Sequence, residues 1–149
     1  MDTEVSLRAV TGQDVAEFFA HRQQRGDAGP EDHDAFLARW QHQLQNPDVT
    51  LRTILADAEV VGYIARFTRN SLPEVSYELG PDYWGHGFAT AALRLFVAET
   101  TARPLYARAA KDNARSLRVL EKNGFRTIGE DRFIAAAGNE VEEFVLMLS

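Results

Sequence analysis

Residues Gly80 to Phe96 read GPDYWGHGFATAALRLF, with three glycines and a proline in eight residues and then, at once, an apolar run at helical spacing. A helix that starts from bare backbone leaves its first N–H groups unpaired and carries a partial positive charge there. Glycine lets an anion approach that backbone closely, and phosphate is the natural guest; the alternative is a sharp strand-to-helix turn with no ligand. Placement narrows the folds. The loop follows the fourth predicted strand, whereas a doubly wound dinucleotide fold needs its glycine loop after the first. A Walker A loop requires Lys and then Ser or Thr after its second glycine, but Gly80 and Gly85 are followed by His86 and Gly87. The dinucleotide fingerprint also fails, because Phe88, Ala89 and Thr90 follow Gly85 and Gly87 where a third glycine is needed.

The rest of the chain supplies the frame. Alternation predicts a first strand over Val5 to Val10. Helices are predicted over Asp14 to Gln24, with Val15, Phe18 and Phe19 on one face, and over Glu31 to Leu44, with Phe36, Leu37, Trp40 and Leu44. GDAGPE, from Gly26, separates them. Two strands follow around a tight turn at Asp57 to Glu59, and EVSYELG makes a fourth ending at Gly80. A helix from about Gly87 to Thr100 has Phe88, Ala92, Leu95 and Phe96 as its expected buried stripe. After a short strand in PLYARAA, Asn113 caps a helix through Lys122 that turns Leu117 and Leu120 inward and ends at Gly124. Two strands joined near Gly138 and Asn139 complete the order. The expected fold is α/β, an α+β mixture: a mixed, mostly antiparallel seven-stranded sheet with about four helices on both faces, in a single domain spanning residues 1–149.

Composition excludes several functions. No cysteine means no disulfide, thiolate metal site or cysteine nucleophile. His21, His33 and His42 lack metal-ligand spacing and are expected as solvated or hydrogen-bonded surface residues, so no metal is expected. A net charge of −6 argues against nucleic acid and favours a cationic partner. No apolar run approaches a membrane span and MDTEVSLRAV has no export signal, so the expected setting is cytoplasmic, as a monomer or homodimer.

The glycine stretch resembles the acyl-CoA loop of the GNAT superfamily of N-acetyltransferases, whose motif falls on Trp84, Gly85, His86, Gly87, Phe88 and Ala89. The wording YWGHGFATAAL is similar to the branch of ribosomal-protein N-terminal (alanine or serine) acetyltransferases. KDNARSLRVLEKNGF, with Asn113, Ser116 and the Gly124-Phe125 ending, resembles the helix after that family's fifth strand. The resemblance implies acetyl-CoA as cosubstrate, a pyrophosphate held by the backbone N–H groups of Gly85 to Thr90, and further contacts from the Thr90 hydroxyl, His86 and Asn113. It implies pantetheine between the fourth and fifth strands, pairing around Leu79, whose backbone N–H is the expected oxyanion donor. Many relatives carry a Tyr acid at the position of Leu120 here.

Acetylating an alkyl amine of pKa about 10.4 at pH 7 meets a deprotonation cost of roughly 4 to 5 kcal/mol. Glu78, one residue before Leu79, is the candidate general base; a charged residue on a solvated strand face is its other reading. Ser116 either contacts the sulfur, positions a water, or only bonds the Asn113 backbone. Asn113 is an N-cap from local sequence and a CoA contact only by resemblance. Phe18, Phe19, Trp40 and the acidic EDHD at Glu31 to Asp34 border the region that shapes the acceptor pocket in the family. The expected activity is transfer of an acetyl group to a primary amine, a protein N-terminus or a small molecule, by direct attack in a ternary complex. A non-catalytic acyl-CoA-binding sensor of the same fold is the alternative.

Overall fold

Alternating sequence in the first half forms an antiparallel meander, and the tight turns between its strands set the register. A computed structural model of the chain describes residues 3–26, 32–135 and 138–149. The elements are β1 (Val5–Ala9), α1 (Gly12–Arg25), α2 (His33–Gln45), β2 (Thr50–Ala56), β3 (Glu59–Arg69), β4 (Leu72–Leu79), α3 (Phe88–Glu99), β5 (Leu105–Ala110), α4 (Ala114–Lys122), β6 (Arg126–Ile134) and β7 (Glu140–Leu148). A single 3₁₀ turn, Pro81–Tyr83, joins β4 to the glycine loop. The seven strands lie in one sheet in the order β1-β2-β3-β4-β5-β7-β6. Every neighbouring pair is antiparallel except β4 and β5. Asp57 and Ala58 (φ 48° and 71°), and Asn70 and Ser71 (φ 51° and 67°), take the paired positive dihedrals of turns whose twist matches flanking strands.

Helices cover both faces. On one, α3 and α4 bury Ala92, Leu93, Phe96 and Leu120 against Ile54, Val61 and Ile64. On the other, Val15, Phe18, Phe36 and Trp40 form a second cluster against Tyr63, with Phe18 and Trp40 rings 4.9 Å apart. Two expected stripe positions differ. Leu95 is 41% exposed while Leu93 is fully buried, because Ala92, Leu93 and Phe96 centre the α3 stripe and Leu95 falls on its flank. Leu44, in the last turn of α2, lies beyond the aromatic cluster and is exposed. Asp32 caps α2 by accepting from the Ala35 N–H at 2.8 Å; Glu31 and most of GDAGPE lie outside the described residues.

One buried carboxylate ties α1 to the sheet. Asp14 accepts from Arg8 Nη2 at 2.9 Å, from Thr53 Oγ1 at 2.7 Å and from the Thr11 N–H at 2.9 Å, completing a capping box. Burial pushes its pKa up, but the hydrogen bonds from Arg8, Thr53 and Thr11 outweigh that and hold it at about 2. The folded-state value is depressed, so its stabilisation is complete above the unfolded-state value and is lost as pH falls through about 2. Urea unfolding should show Asp14→Asn destabilised by about 2 kcal/mol at pH 7, with the gap to the unmodified chain closing between pH 4 and pH 2. A gap independent of pH contradicts this role for Asp14.

Candidate active site

The parallel pairing of β4 with β5 is confined to Glu74 opposite Tyr106, and beyond it the two strands part. The Gly80 N–H donates to the Val61 carbonyl at 3.0 Å, which sets the hydrogen-bonding parity along β3 and β4. By that parity Glu78 faces Tyr63 in a bonded pair, while the backbone groups of Tyr77 and Leu79 turn away from β3 toward the gap. A carbonyl there has lost the strand that would have bonded it. Leu79 C=O instead accepts from Arg25 Nη1 at 3.2 Å and from Trp84 Nε1 at 3.3 Å.

The closed end of the gap is held by charge. Arg108 on β5 donates to Glu74 at 3.2 Å, Asp131 at 2.7 Å and Glu143 at 3.1 Å, joining four strands. The Asp131 hydrogen bond, with those from Glu143 and Glu74, raises the Arg108 pKa against the effect of burial. At the open end, Arg25 Nε lies 3.6 Å from Glu78 Oε2, so α1 grips both the Glu78 carboxylate and the Leu79 carbonyl.

Gly80 crosses directly over His21: a Cβ there would lie 2.7 Å from the imidazole Cδ2. His21 is 5% exposed, edge-on to Tyr83 at 5.7 Å, with its Nδ1 buried and unpartnered among the described residues. This corrects the expectation of a surface histidine, since α1 packs its last turns under the end of β4. Burial lowers the His21 pKa, with the Glu17 carboxylate opposing it. His33 and His42 are exposed as expected. Among the described residues no group of His, Asp and Glu is arranged to hold a metal.

The loop then bares its backbone. Gly85 and Gly87 both have φ of +80°, and a Cβ on either would meet nothing within 4 Å. Gly87 is the N-cap of α3, makes no side-chain cap, and accepts from the Ala91 N–H at 3.1 Å. The first N–H groups of Phe88 to Thr90 have no intrahelical partner. Across the gap, Asn113 caps α4 by accepting from the Ser116 N–H at 3.1 Å, and Ser116 Oγ lies 3.1 Å from the Tyr77 hydroxyl. Asn123 Nδ2 donates to the Thr90 carbonyl at 3.2 Å and so locks α4 to the start of α3.

A cleft of about 500 Å³ runs between these parts. Glu78, Leu79, Trp84, Gly85, Gly87, Phe88, Ala89, Thr90, Asn113 and Ser116 all line it. His86 stands beside it, exposed and stacked on Phe88 at 5.4 Å. Sequence reasoning missed Tyr77, whose place on the Leu79 face of β4 was nonetheless visible in the strand alternation. It also missed the basic wall formed by Arg115, Arg118 and Lys122, which line the cleft from α4. Their spacing of three and then four residues was the available signal. Arg115 stacks over the Trp84 ring at 3.9 Å. Arg25 had no such signal, because its contact with Leu79 spans 54 residues.

Residues 4–126 match the sequence profile of the acetyltransferase (GNAT) domain. No curated protein matches the chain. Among solved structures it is similar to the ribosomal-protein-S5-alanine acetyltransferase from Vibrio fischeri, with 16% identity over 96% of this chain and 91% of that one and a TM-score of 0.79. Mycobacterium smegmatis RimJ in complex with CoA-disulfide gives 21% identity, 97% and 81% coverage and a TM-score of 0.79. The microcin C7 self-immunity acetyltransferase MccE in complex with acetyl-CoA and AMP gives 16%, 97%, 91% and 0.82. At these identities the likeness is one of fold.

Proposed function

This chain belongs to the GNAT acetyltransferase family, and we propose that it moves an acetyl group from acetyl-CoA to a primary amine by direct attack within a ternary complex. One juxtaposition carries the reading: the bare glycine loop, the parted edge of β4 and Glu78 border the same cleft. The open space at Gly85 and Gly87 suits a pyrophosphate on the N–H groups from Gly85 to Thr90. Arg115, Arg118 and Lys122 give an acidic chain a cationic wall for the phosphates. Asn113 and Thr90 flank that position.

The gap beside Tyr77 and Leu79 takes the pantetheine arm, pairing with backbone groups that β5 leaves unbonded. The Leu79 N–H then meets the thioester oxygen and stabilises the negative charge that forms on attack. Arg25 and Trp84 hold the Leu79 carbonyl and so fix the plane of that strand end. Glu78 takes the proton of the attacking amine, directly or through a water, with Arg25 fixing the carboxylate position. The likeness to the ribosomal-protein-S5-alanine acetyltransferase and the net charge of −6 favour an amine on a cationic carrier, such as a protein N-terminus.

Thiol release from acetyl-CoA, measured with an alanine-initiated peptide, spermidine and other amines, tests the activity. Turnover with at least one amine is expected; binding without turnover on any amine would mean an acyl-CoA sensor, and no CoA binding would refute both readings. Gly87→Glu should abolish acetyl-CoA binding by setting a carboxylate against the pyrophosphate, while Gly87→Asn, which tolerates the left-handed conformation, serves as the folding control. Unchanged affinity in the Glu variant refutes the loop assignment.

Glu78→Gln should lower the rate about a hundredfold at pH 7 and far less at high pH, where the free amine is abundant. A uniform loss across pH contradicts the general-base role.

A further inference from the structure

The fourth helix brings no phenol to the cleft, because Leu120 stands where many GNAT enzymes carry a Tyr and is buried in the core at 2% exposure. A phenol reaches the cleft from the opposite wall. Tyr77 lies on β4 two residues before Leu79 and on the same strand face. Its hydroxyl lies 3.1 Å from Ser116 Oγ, in the first turn of α4, and both side chains line the cleft. The pair therefore bridges the two walls at the level where β4 and β5 have parted. Burial pushes the phenol above its ordinary value, the Ser116 hydrogen bond opposes that, and the Glu78 charge adds to it. Tyr77 thus keeps its proton throughout the neutral range.

From this geometry we infer that Tyr77, relayed by Ser116, is the group that donates to the departing CoA sulfur. The inference rests on the acetyl-CoA reading above. As the amine nitrogen bonds to the thioester carbon, its proton leaves through Glu78 to solvent. When the C–S bond breaks, its electron pair passes to sulfur, which receives the Tyr77 proton. Tyr77 recovers one from the Ser116 hydroxyl in the same motion, and Ser116 takes back from solvent at the cleft mouth the proton that Glu78 released. One proton leaves nitrogen and one arrives at sulfur, so the reaction is balanced. Because a phenol is a weaker acid than a thiol, and an aliphatic hydroxyl weaker still, no free phenolate or alkoxide forms: the proton passes along Ser116 and Tyr77 to sulfur in one concerted motion, which is why the two hydroxyls act together.

The experiment uses thiol release from acetyl-CoA with whichever amine of the panel turns over. Tyr77→Phe keeps the ring and should lower kcat by about tenfold or more, with KM for acetyl-CoA changed by less than about twofold. Ser116→Ala should act in the same direction, and the double variant should be no slower than Tyr77→Phe alone. Replacing Tyr77 by 3,5-difluorotyrosine preserves its shape and acidifies the phenol, so the alkaline limb of kcat should move to lower pH. This readout decides the matter even where Tyr77→Phe fails to fold. An active chain whose kcat is unmoved by Tyr77→Phe, or whose alkaline limb is unmoved by the fluorinated residue, overturns the Tyr77 role alone. A wild-type chain that binds acetyl-CoA without turnover overturns the transferase reading as well.

Discussion

The site depends on β4 being bonded along one edge and released along the other. On the β3 side it is paired from Leu72 to Leu79; on the β5 side the pairing is confined to Glu74 and Tyr106. The two strands are parallel, so the chain must leave the end of β4, cross over through α3 and return. That topology places the end of β4, the opening gap and the N-terminus of α3 in one neighbourhood. The glycine loop has to lie there because nothing else connects β4 to the crossover helix.

Charged side chains shape both ends of this opening. Arg108 draws Glu74, Asp131 and Glu143 together where the strands still touch, and makes that end a clamp. At the far end Arg25 and Trp84 satisfy the Leu79 carbonyl that β5 abandons. A buried carbonyl without a partner costs about 1 to 3 kcal/mol, so these two donors make the open edge tolerable. They also leave the Leu79 N–H facing the gap, where the proposed chemistry needs it. The Asp14 carboxylate, bonded to Arg8, Thr53 and Thr11, fixes α1 on the sheet and thereby places Arg25 and His21 beneath the strand end.

Much of this was legible in the sequence because it is local. Alternation placed the first strand, turn residues near Asp57 and Gly138 located two further strand pairs, and Asn113 capped its helix as expected. The bare backbone at Gly85 and Gly87 followed from composition alone. What was not legible was tertiary. Leu93 and Leu95 differ in burial through a small rotation of α3 that no local pattern sets. His21 is buried because Gly80, 59 residues on in sequence, has no side chain to exclude it. The bond between Tyr77 and Ser116 spans 39 residues and depends on how far β4 and α4 stand apart.

The central claim is that the released edge of β4 and the bare start of α3 together form one acyl-CoA site. A structure of the chain with acetyl-CoA bound tests it most directly. The account predicts the pyrophosphate on the N–H groups of Gly85 to Thr90 and the thioester oxygen within hydrogen-bonding distance of the Leu79 N–H. Acetyl-CoA bound elsewhere, or with its thioester directed away from Leu79, contradicts it.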